Sequence, residues 1–336
     1  MSQEVSRGQG PAPGSARGRV GRPGPPGRRP SAQQPNVVAV PEEVRRAVLR
    51  WSGARGQSWL DGLPTVVARL AHHWQLQLGR PFGGGSNALV LAATRADGAS
   101  AVLKIPLRDA ENRNEAPALR LYAGDGAVLL YEEDPESGAL LIERLDPGSP
   151  LAEHPDRGAA IGIVCRLVRR LWRPPPPGHT FATVQEVSVR WSSQLLAAAQ
   201  RDDARSWSHL ATEAARLADE LAHAPGDTAV VNRDVHLGNV LAARREPWLL
   251  IDPKPLVGDP TFDTGHLIGD LLPPAATSRA ATNLVAHLAD QLRLEARRVR
   301  DWALVRATVN AVWALEDGED PAPSLARAAA LRDATW

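Results

Sequence analysis

The sequence predicts an α+β fold in two lobes, a small β-rich N-terminal lobe and a larger α-helical C-terminal lobe. Short apolar runs of strand length fill residues 76–143, and helical periodicity dominates after residue 151. The length of 336 residues is the third pointer, since one hydrophobic core stops growing at roughly 250–300 residues.

Residues 1–35 are mostly Gly, Pro, Ser and Arg and offer little to bury, so a disordered basic tail is expected there. Its arginines have no aromatic side chains among them, and nucleic acid is not expected as a partner. The N-terminal lobe is expected over 36–145. It opens with two short helices between Pro41 and His73, with Pro41 and Pro64 in their first turns. Five strands follow, LQLG, ALVLAAT, SAVLKIP, AVLLYEE and GALLIE, broken by one helical stretch over 109–122. Together they predict a small antiparallel sheet carrying a single helix.

A linker, DPGSPL at 146–151, leads into the C-terminal lobe over 146–336. Helices are expected near 151–172, 183–200, 206–224, 261–272, 279–296, 299–317 and 323–333, with the RPPPPG stretch at 173–178 as a loop. Only 229–251 departs from this pattern, with short apolar runs around a polar loop.

Composition excludes several classes. The single cysteine, Cys165, rules out an internal disulfide framework and a Cys-rich zinc site. No apolar stretch reaches the ~20 residues of a membrane span, and the N-terminus lacks a signal peptide's apolar segment, so a cytoplasmic protein is expected. The net charge of +1 hides a lopsided choice of cation: lysine occurs only at 104 and 254, and every other basic chain is arginine. Arginine's planar fork does not replace a compact ammonium acting on phosphate as a point charge, which makes both lysines candidates for chemistry.

Phosphoryl transfer from ATP needs covered phosphates, a lysine and a metal ion to neutralise charge, and a carboxylate near the acceptor hydroxyl. Each need finds a residue in chain order. FGGGSNALV at 82–90 lies between two strands, where Gly84, Gly85 and Ser86 would let backbone N–H groups approach phosphate; it is neither a Walker loop nor a strict GxGxxG. Lys104 sits inside an apolar strand, where an unpaired ammonium is costly, and Glu115, eleven positions later, is its expected partner. Pro117 follows Glu115 closely, so the helix either begins there or kinks. In VVNRDVHLGNVLAARREPWLLIDPK, Asp234 and Asn239 are five positions apart on a loop, and Asp252 ends the strand WLLI. That arrangement offers a base, an amide oxygen for Mg²⁺ and a carboxylate for Mg²⁺. His236, inside the loop, suits a structural hydrogen bond.

On VLKI, EAPALRLYAGDGAVLL, ALLIERLDPGSPL, RDVHLGNVL, PWLLIDPKPLVGDPTFD and AVWALEDG, the chain resembles the aminoglycoside phosphotransferase family. The likeness covers most of residues 40–320 and points to the branch with streptomycin 6-phosphotransferases and hydroxyurea phosphotransferases. It implies a protein-kinase-like fold, ATP and Mg²⁺ as cofactors, and a small-molecule acceptor, above all an aminoglycoside such as streptomycin. Hydroxyurea, another metabolite, or a catalytically weak nucleotide-binding module are the alternatives. By the same resemblance Lys104 contacts ATP phosphates, Glu115 pairs with it, and Glu143 opens the adenine-binding hinge after Ile142. Asp234 is then the base, with Asn239 and Asp252 on Mg²⁺. Two departures stand out: Asn232-Arg233 where the family usually has His-Gly, and Pro117 in place of a small residue. Aminoglycosides are polycations, so an acidic acceptor pocket is expected, with Asp263, Glu316 and Asp317 as candidate walls and Glu319 and Asp320 nearby.

Overall fold

A computed structural model describes residues 39–83, 87–223 and 228–335. The expected tail over 1–35 and Gly84, Gly85 and Ser86 lie outside the described residues.

The chain enters through α1 (Glu42–His73), which breaks at Gly53 with φ 47°. Two helices were expected here, but the break falls well before Pro64, which sits inside the second segment. Glycine explains the position. Gly53 adopts a left-handed backbone, and at Gly56 a Cβ would stand 2.5 Å from the Val48 carbonyl oxygen, so the second segment packs directly on the first.

The sheet is antiparallel, in the order β1-β2-β3-β5-β4, with β1 (Gln77–Pro81), β2 (Ala88–Thr94), β3 (Ser100–Pro106), β4 (Leu130–Asp134) and β5 (Ala139–Glu143). Period-two alternation divides its residues between two cores. Leu89, Leu91, Leu103, Ile105 and Leu141 join Val44, Val48, Leu63, Val67 and Leu70 of α1. Leu140 and Ile142 join Leu119 and Tyr122 of α2 (Glu115–Tyr122) in the core that runs on into the C-terminal lobe. The helix expected over 109–122 thus begins only at Glu115. Upstream, Asp109 Oδ1 accepts the N–H groups of Glu111 at 2.7 Å and Asn112 at 2.9 Å, a turn that competes with helix. Pro117 falls on the third helical residue, where a missing N–H costs nothing.

The C-terminal lobe contains α3 (Arg157–Leu171), β6 (Ala182–Thr183), α4 (Val184–Ala199), α5 (Ser208–His223), β7 (Ala229–Asn232), β8 (Val240–Ala242), β9 (Trp248–Leu250) and β10 (Pro255–Gly258). It ends with α6 (Asp263–Leu271), α7 (Ser278–Leu292), α8 (Ala296–Glu316) and α9 (Ala322–Arg332). Helix α8 is buried over most of its length, including Trp302 and Arg306. Strand β10 pairs parallel with β6 and antiparallel with β7, while β8 and β9 form a hairpin. The N–H of Leu250 donates to Gly126 O at 2.9 Å and that of Val128 to Leu250 O at 3.0 Å, joining the hairpin to the segment entering β4. No helix of the described residues is long and apolar enough to cross a membrane.

Candidate active site

Because Leu103 and Ile105 face α1, Lys104 between them projects to the other face of β3, where α2 starts. Its ammonium donates to both oxygens of Glu115, at 2.7 and 2.8 Å, and to Asp252 Oδ1 at 2.6 Å. One carboxylate comes from each lobe. Burial works against the charge of Lys104, but Asp252 and Glu115 outweigh it and hold the ammonium protonated. Burial pushes Glu115 up to about 7 against the pull of Lys104, with the charge of Asp252 adding to the rise. Two carboxylates share one ammonium here, so the deeper of them, Glu115, is the harder to ionise. Asp252 is held below its usual range: burial opposes this, and Lys104 and Lys254 overcome it. Its backbone is left-handed, φ 52°, a rare conformation for a residue other than glycine and one that clusters at functional sites.

The loop after β7 is held from two sides. Asn232 Oδ1 accepts the N–H of Asp234 at 3.2 Å and of Lys254 at 2.9 Å, which ties the loop to the segment after Asp252. Asn232 therefore does conformational work where the related pattern has His. Asn239 donates from Nδ2 to Asp234 O at 3.2 Å, and its own carbonyl accepts the N–H of Ile251 at 2.8 Å, which sets it next to Asp252 in space. His236 Nδ1 accepts the N–H of Gly238 at 3.1 Å, the structural bond expected of it.

Asp234 receives a hydrogen bond from Lys254 Nζ at 2.7 Å, and its Oδ1 lies 3.1 Å from His266 Nδ1. Burial opposes its ionisation, yet His266 and Lys254 outweigh this and hold the carboxyl well below the usual range. The same His266 nitrogen is 3.1 Å from Arg306 Nη2, so it donates to Asp234 in one tautomer and accepts from Arg306 in the other. Burial lowers the pKa of His266 against the pull of Asp234, and its ring stacks on His236 at 5.3 Å between centroids.

The remaining support comes from α6. Asp263 Oδ1 accepts the N–H of Asn232 at 2.7 Å and its Oδ2 the indole N–H of Trp172 at 2.9 Å, while Asp270 Oδ2 accepts the N–H of Leu237 at 3.0 Å. Burial pushes Asp263 up to about 8 against those two hydrogen bonds. Asp263, His266 and Asp270 thus hold three points of the loop from a single helix. His266, Asp270 and Arg306 escaped the sequence reading. For His266 and Asp270 the signal available was their i+3 and i+7 spacing from Asp263, which places the three on one side of α6 among largely apolar residues; for Arg306 there was none.

A cavity of about 460 Å³ opens beside Arg233 and Lys254, with Glu111, Arg113, Arg190, Trp191 and Trp313 in its wall. None of the three candidate acidic residues lines it. Asp263 is buried beneath the loop with both oxygens occupied, and neither Glu316 nor Asp317 lines the cavity. They end α8 in an exposed turn, where Arg50 pairs with Glu319 at 3.2 Å and donates to Asp317 O. Glu143 is occupied as well, its carboxylate accepting from Arg245 at 2.8 and 3.0 Å and from the N–H of Leu129 at 3.1 Å.

Among the described residues no three His, Cys, Asp or Glu side chains converge on a metal position. The amide oxygen of Asn239 and the carboxylate of Asp252 are hard oxygen donors on two segments that the bond from the Ile251 N–H to Asn239 O holds side by side. Such a pair fits a hard divalent ion whose shell phosphate and water complete.

Residues 73–318 match the family model described as aminoglycoside/hydroxyurea antibiotic resistance kinase. The chain belongs to that family. A hydroxyurea phosphotransferase from Kitasatospora aureofaciens is 38% identical to this resistance-kinase family member over 294 residues, 85% of this chain and 83% of that protein. A streptomycin 6-kinase from Streptomyces glaucescens is 35% identical over 309 residues, 88% of this chain and 98% of that protein. A solved choline/ethanolamine kinase family protein from Mesorhizobium loti shares 19% identity, with a TM-score of 0.58 over 80% of this chain and 93% of that one. The fold is therefore the two-lobed, protein-kinase-like α+β fold. As a resistance-kinase family member the chain is a phosphotransferase with a hydroxyl acceptor, and its use of ATP follows from that membership.

Proposed function

We propose that the chain transfers the γ-phosphoryl group of Mg²⁺-bound ATP to a hydroxyl of a small polar molecule, in the cytoplasm where ATP is supplied. The observation that carries this is the three-way contact of Lys104 with Glu115 and Asp252, which brings one compact ammonium against a carboxylate from each lobe. In this reading Lys104, oriented by Glu115, contacts the phosphates, and Gly84, Gly85 and Ser86 cover them through backbone N–H groups. The segment beginning at Glu143 receives adenine through its backbone, since the Glu143 carboxylate already serves Arg245. Asn239 and Asp252 hold Mg²⁺, which neutralises phosphate charge when bound.

Asp234 accepts the hydrogen bond of the acceptor hydroxyl. The new bond joins that oxygen to the γ-phosphorus, the bond from the γ-phosphorus to the bridging oxygen breaks, ADP leaves, and the proton passes to Asp234. A carboxylate held this far below its usual pKa is a weak base in the ground state. Its proton transfer therefore comes late, and its first contribution is to aim the hydroxyl. The relatives' names print two acceptors, streptomycin and hydroxyurea, and a hydroxyl of a drug-like polar molecule of that kind is the acceptor proposed for this chain.

Asp234→Asn tests the assignment. ADP release with an acceptor panel should fall by about 10²–10⁴-fold while ATP binding by titration calorimetry is retained. Equal turnover by variant and parent would remove Asp234 from the mechanism.

A further inference from the structure

Lysine occurs only twice in the chain, and the phosphoryl transfer described above gives a task to Lys104 alone. Lys254 has a backbone fixed from both sides. Its N–H donates to Asn232 Oδ1 at 2.9 Å, its carbonyl accepts the N–H of Arg233 at 3.1 Å, and the next residue, Pro255, pairs with Asn232 where β10 meets β7. These contacts anchor the loop without the side chain. The side chain runs on to Asp234, where Nζ donates to Oδ2 at 2.7 Å.

The two ammonium groups differ in how many donors the protein takes up. An ammonium carries three N–H donors. Lys104 meets both oxygens of Glu115 and Asp252 Oδ1, which accounts for all of them. Among the described residues Lys254 has one acceptor, Asp234 Oδ2, while Asp252 acts on it by charge from beyond ion-pair distance. Burial works against the charge of Lys254, and Asp234 and Asp252 outweigh it. The side chain is also partly exposed, in the wall of the cavity beside Arg233. Lys254 can therefore meet a further anion while keeping its bond to Asp234, whereas Lys104 must give up a bond to do so.

The carboxylates on either side point to what that anion is. In the transfer described above Asp252 belongs to the nucleotide side and Asp234 to the acceptor hydroxyl, and the γ-phosphoryl group passes between them. A nitrogen bonded to one and within the field of the other stands beside that path. We propose that Lys254 is a catalytic residue, whose remaining donors meet the non-bridging oxygens of the γ-phosphoryl group in flight while its bond to Asp234 keeps that carboxylate aimed at the same point. The proposal rests on the phosphotransferase reading of the site. Charge on the transferred group is spread over its three equatorial oxygens, so donors aimed there act on the transition state more than on bound ATP. Lys254 keeps its protons throughout. The oxygen–phosphorus bond that forms, the one that breaks and the proton that passes to Asp234 are those of the transfer itself.

The test compares ground-state with transition-state binding in the full chain. Titration calorimetry measures three affinities: Mg²⁺-ADP, the Mg²⁺ complex of the β,γ-imido analogue of ATP, and Mg²⁺-ADP with aluminium fluoride, which mimics the planar phosphoryl group. In the parent, aluminium fluoride should tighten ADP by about tenfold or more. Lys254→Met should lose most of that gain and keep the other two affinities within about threefold. Lys254→Cys supplies the control for folding. Treatment with 2-bromoethylamine rebuilds an ammonium of the same length on the introduced cysteine, while Cys165 is shielded by burial, which also pushes its thiol up to about 11. The gain should then return. Lys254→Met that tightens like the parent, a loss of all three affinities together, or an aminoethylated protein, complete by mass, that stays at the level of Lys254→Cys overturns the role given to Lys254. A parent whose ADP affinity ignores aluminium fluoride sinks the phosphotransferase reading, and this proposal with it.

Discussion

Replacing Lys104 by methionine keeps the length of the stem inside β3 and removes only the ammonium. Glu115, 2% exposed, then faces Asp252 with no cation between them. Breaking a buried ion pair from one side costs about 3–5 kcal/mol if the remaining charge must stay. Glu115 has a cheaper course, which is to hold its proton. In the parent, burial already places this group at about 7. Below that pH parent and variant both carry a protonated Glu115, and they differ little through it. Above it the parent ionises against Lys104 while the variant cannot. A carboxyl whose folded pKa is raised binds more protons folded than unfolded, so its contribution to stability is lost as pH rises. In Lys104→Met this loss continues past pH 7, and the stability gap should widen by about 1.4 kcal/mol per pH unit. From pH 7 to pH 9 that amounts to about 3 kcal/mol. Urea unfolding of both proteins at half-unit steps from pH 6 to 9 measures it, a window that leaves the low-pH titration of Asp252 outside. Lys104→Met with Glu115→Gln should abolish the widening. A gap that stays constant over the range would refute the argument that Glu115 is the strained member of the cluster.

Four further outcomes follow from the same structure. Asp263→Ala leaves the N–H of Asn232 and the indole N–H of Trp172 unpaired in the interior and should cost about 2–4 kcal/mol in urea unfolding. Asp263→Asn should instead cost less and remove a pH dependence, since the raised pKa of about 8 makes the parent lose stability between pH 4 and 8. His266→Ala removes one of the two side chains that keep Asp234 ionised, so the acidic limb of the pH–rate profile should move to higher pH, with kcat down about tenfold and KM for ATP unchanged. An acidic limb that does not move would leave His266 with a packing role alone. Gly258→Ala places a Cβ 2.5 Å from Val184 Cγ2 and should cost about 1–3 kcal/mol, part of it recovered by Val184→Ala.

What could be read in the sequence was what local periodicity and spacing carry. The strands ALVLAAT and SAVLKIP occupy the residues expected, and the long C-terminal helices begin and end within a few residues of their periodic stretches. Lys104, Glu115, Asn239 and Asp252 were legible because each stands at a fixed distance from a strand or a polar loop. The helix over 109–122 was overextended because Asp109 builds a turn whose cost and gain lie in side-chain hydrogen bonds, which an apolar pattern does not record. The acidic run at the end of α8 shows a different limit. Clustering along the chain is not clustering in space: Glu319 and Asp317 meet Arg50, 267 positions from Asp317 in the chain.

The two lysines show how composition and geometry converge. In a chain that otherwise uses arginine throughout, each lysine is mostly buried in a place where carboxylates approach a single nitrogen from different segments: Glu115 and Asp252 at Lys104, Asp234 at Lys254 with Asp252 adding its charge. An arginine fork spreads its charge over a plane and would need a wider gap between β3, α2 and the end of β9 than the contacts of 2.6–2.8 Å leave. The arginines are used where a broad fork is suited instead, over the tryptophans and around the cavity mouth. The two cations therefore serve different contacts, lysine where carboxylates crowd one nitrogen and arginine where a plane is met, in residues that the composition alone had already set apart.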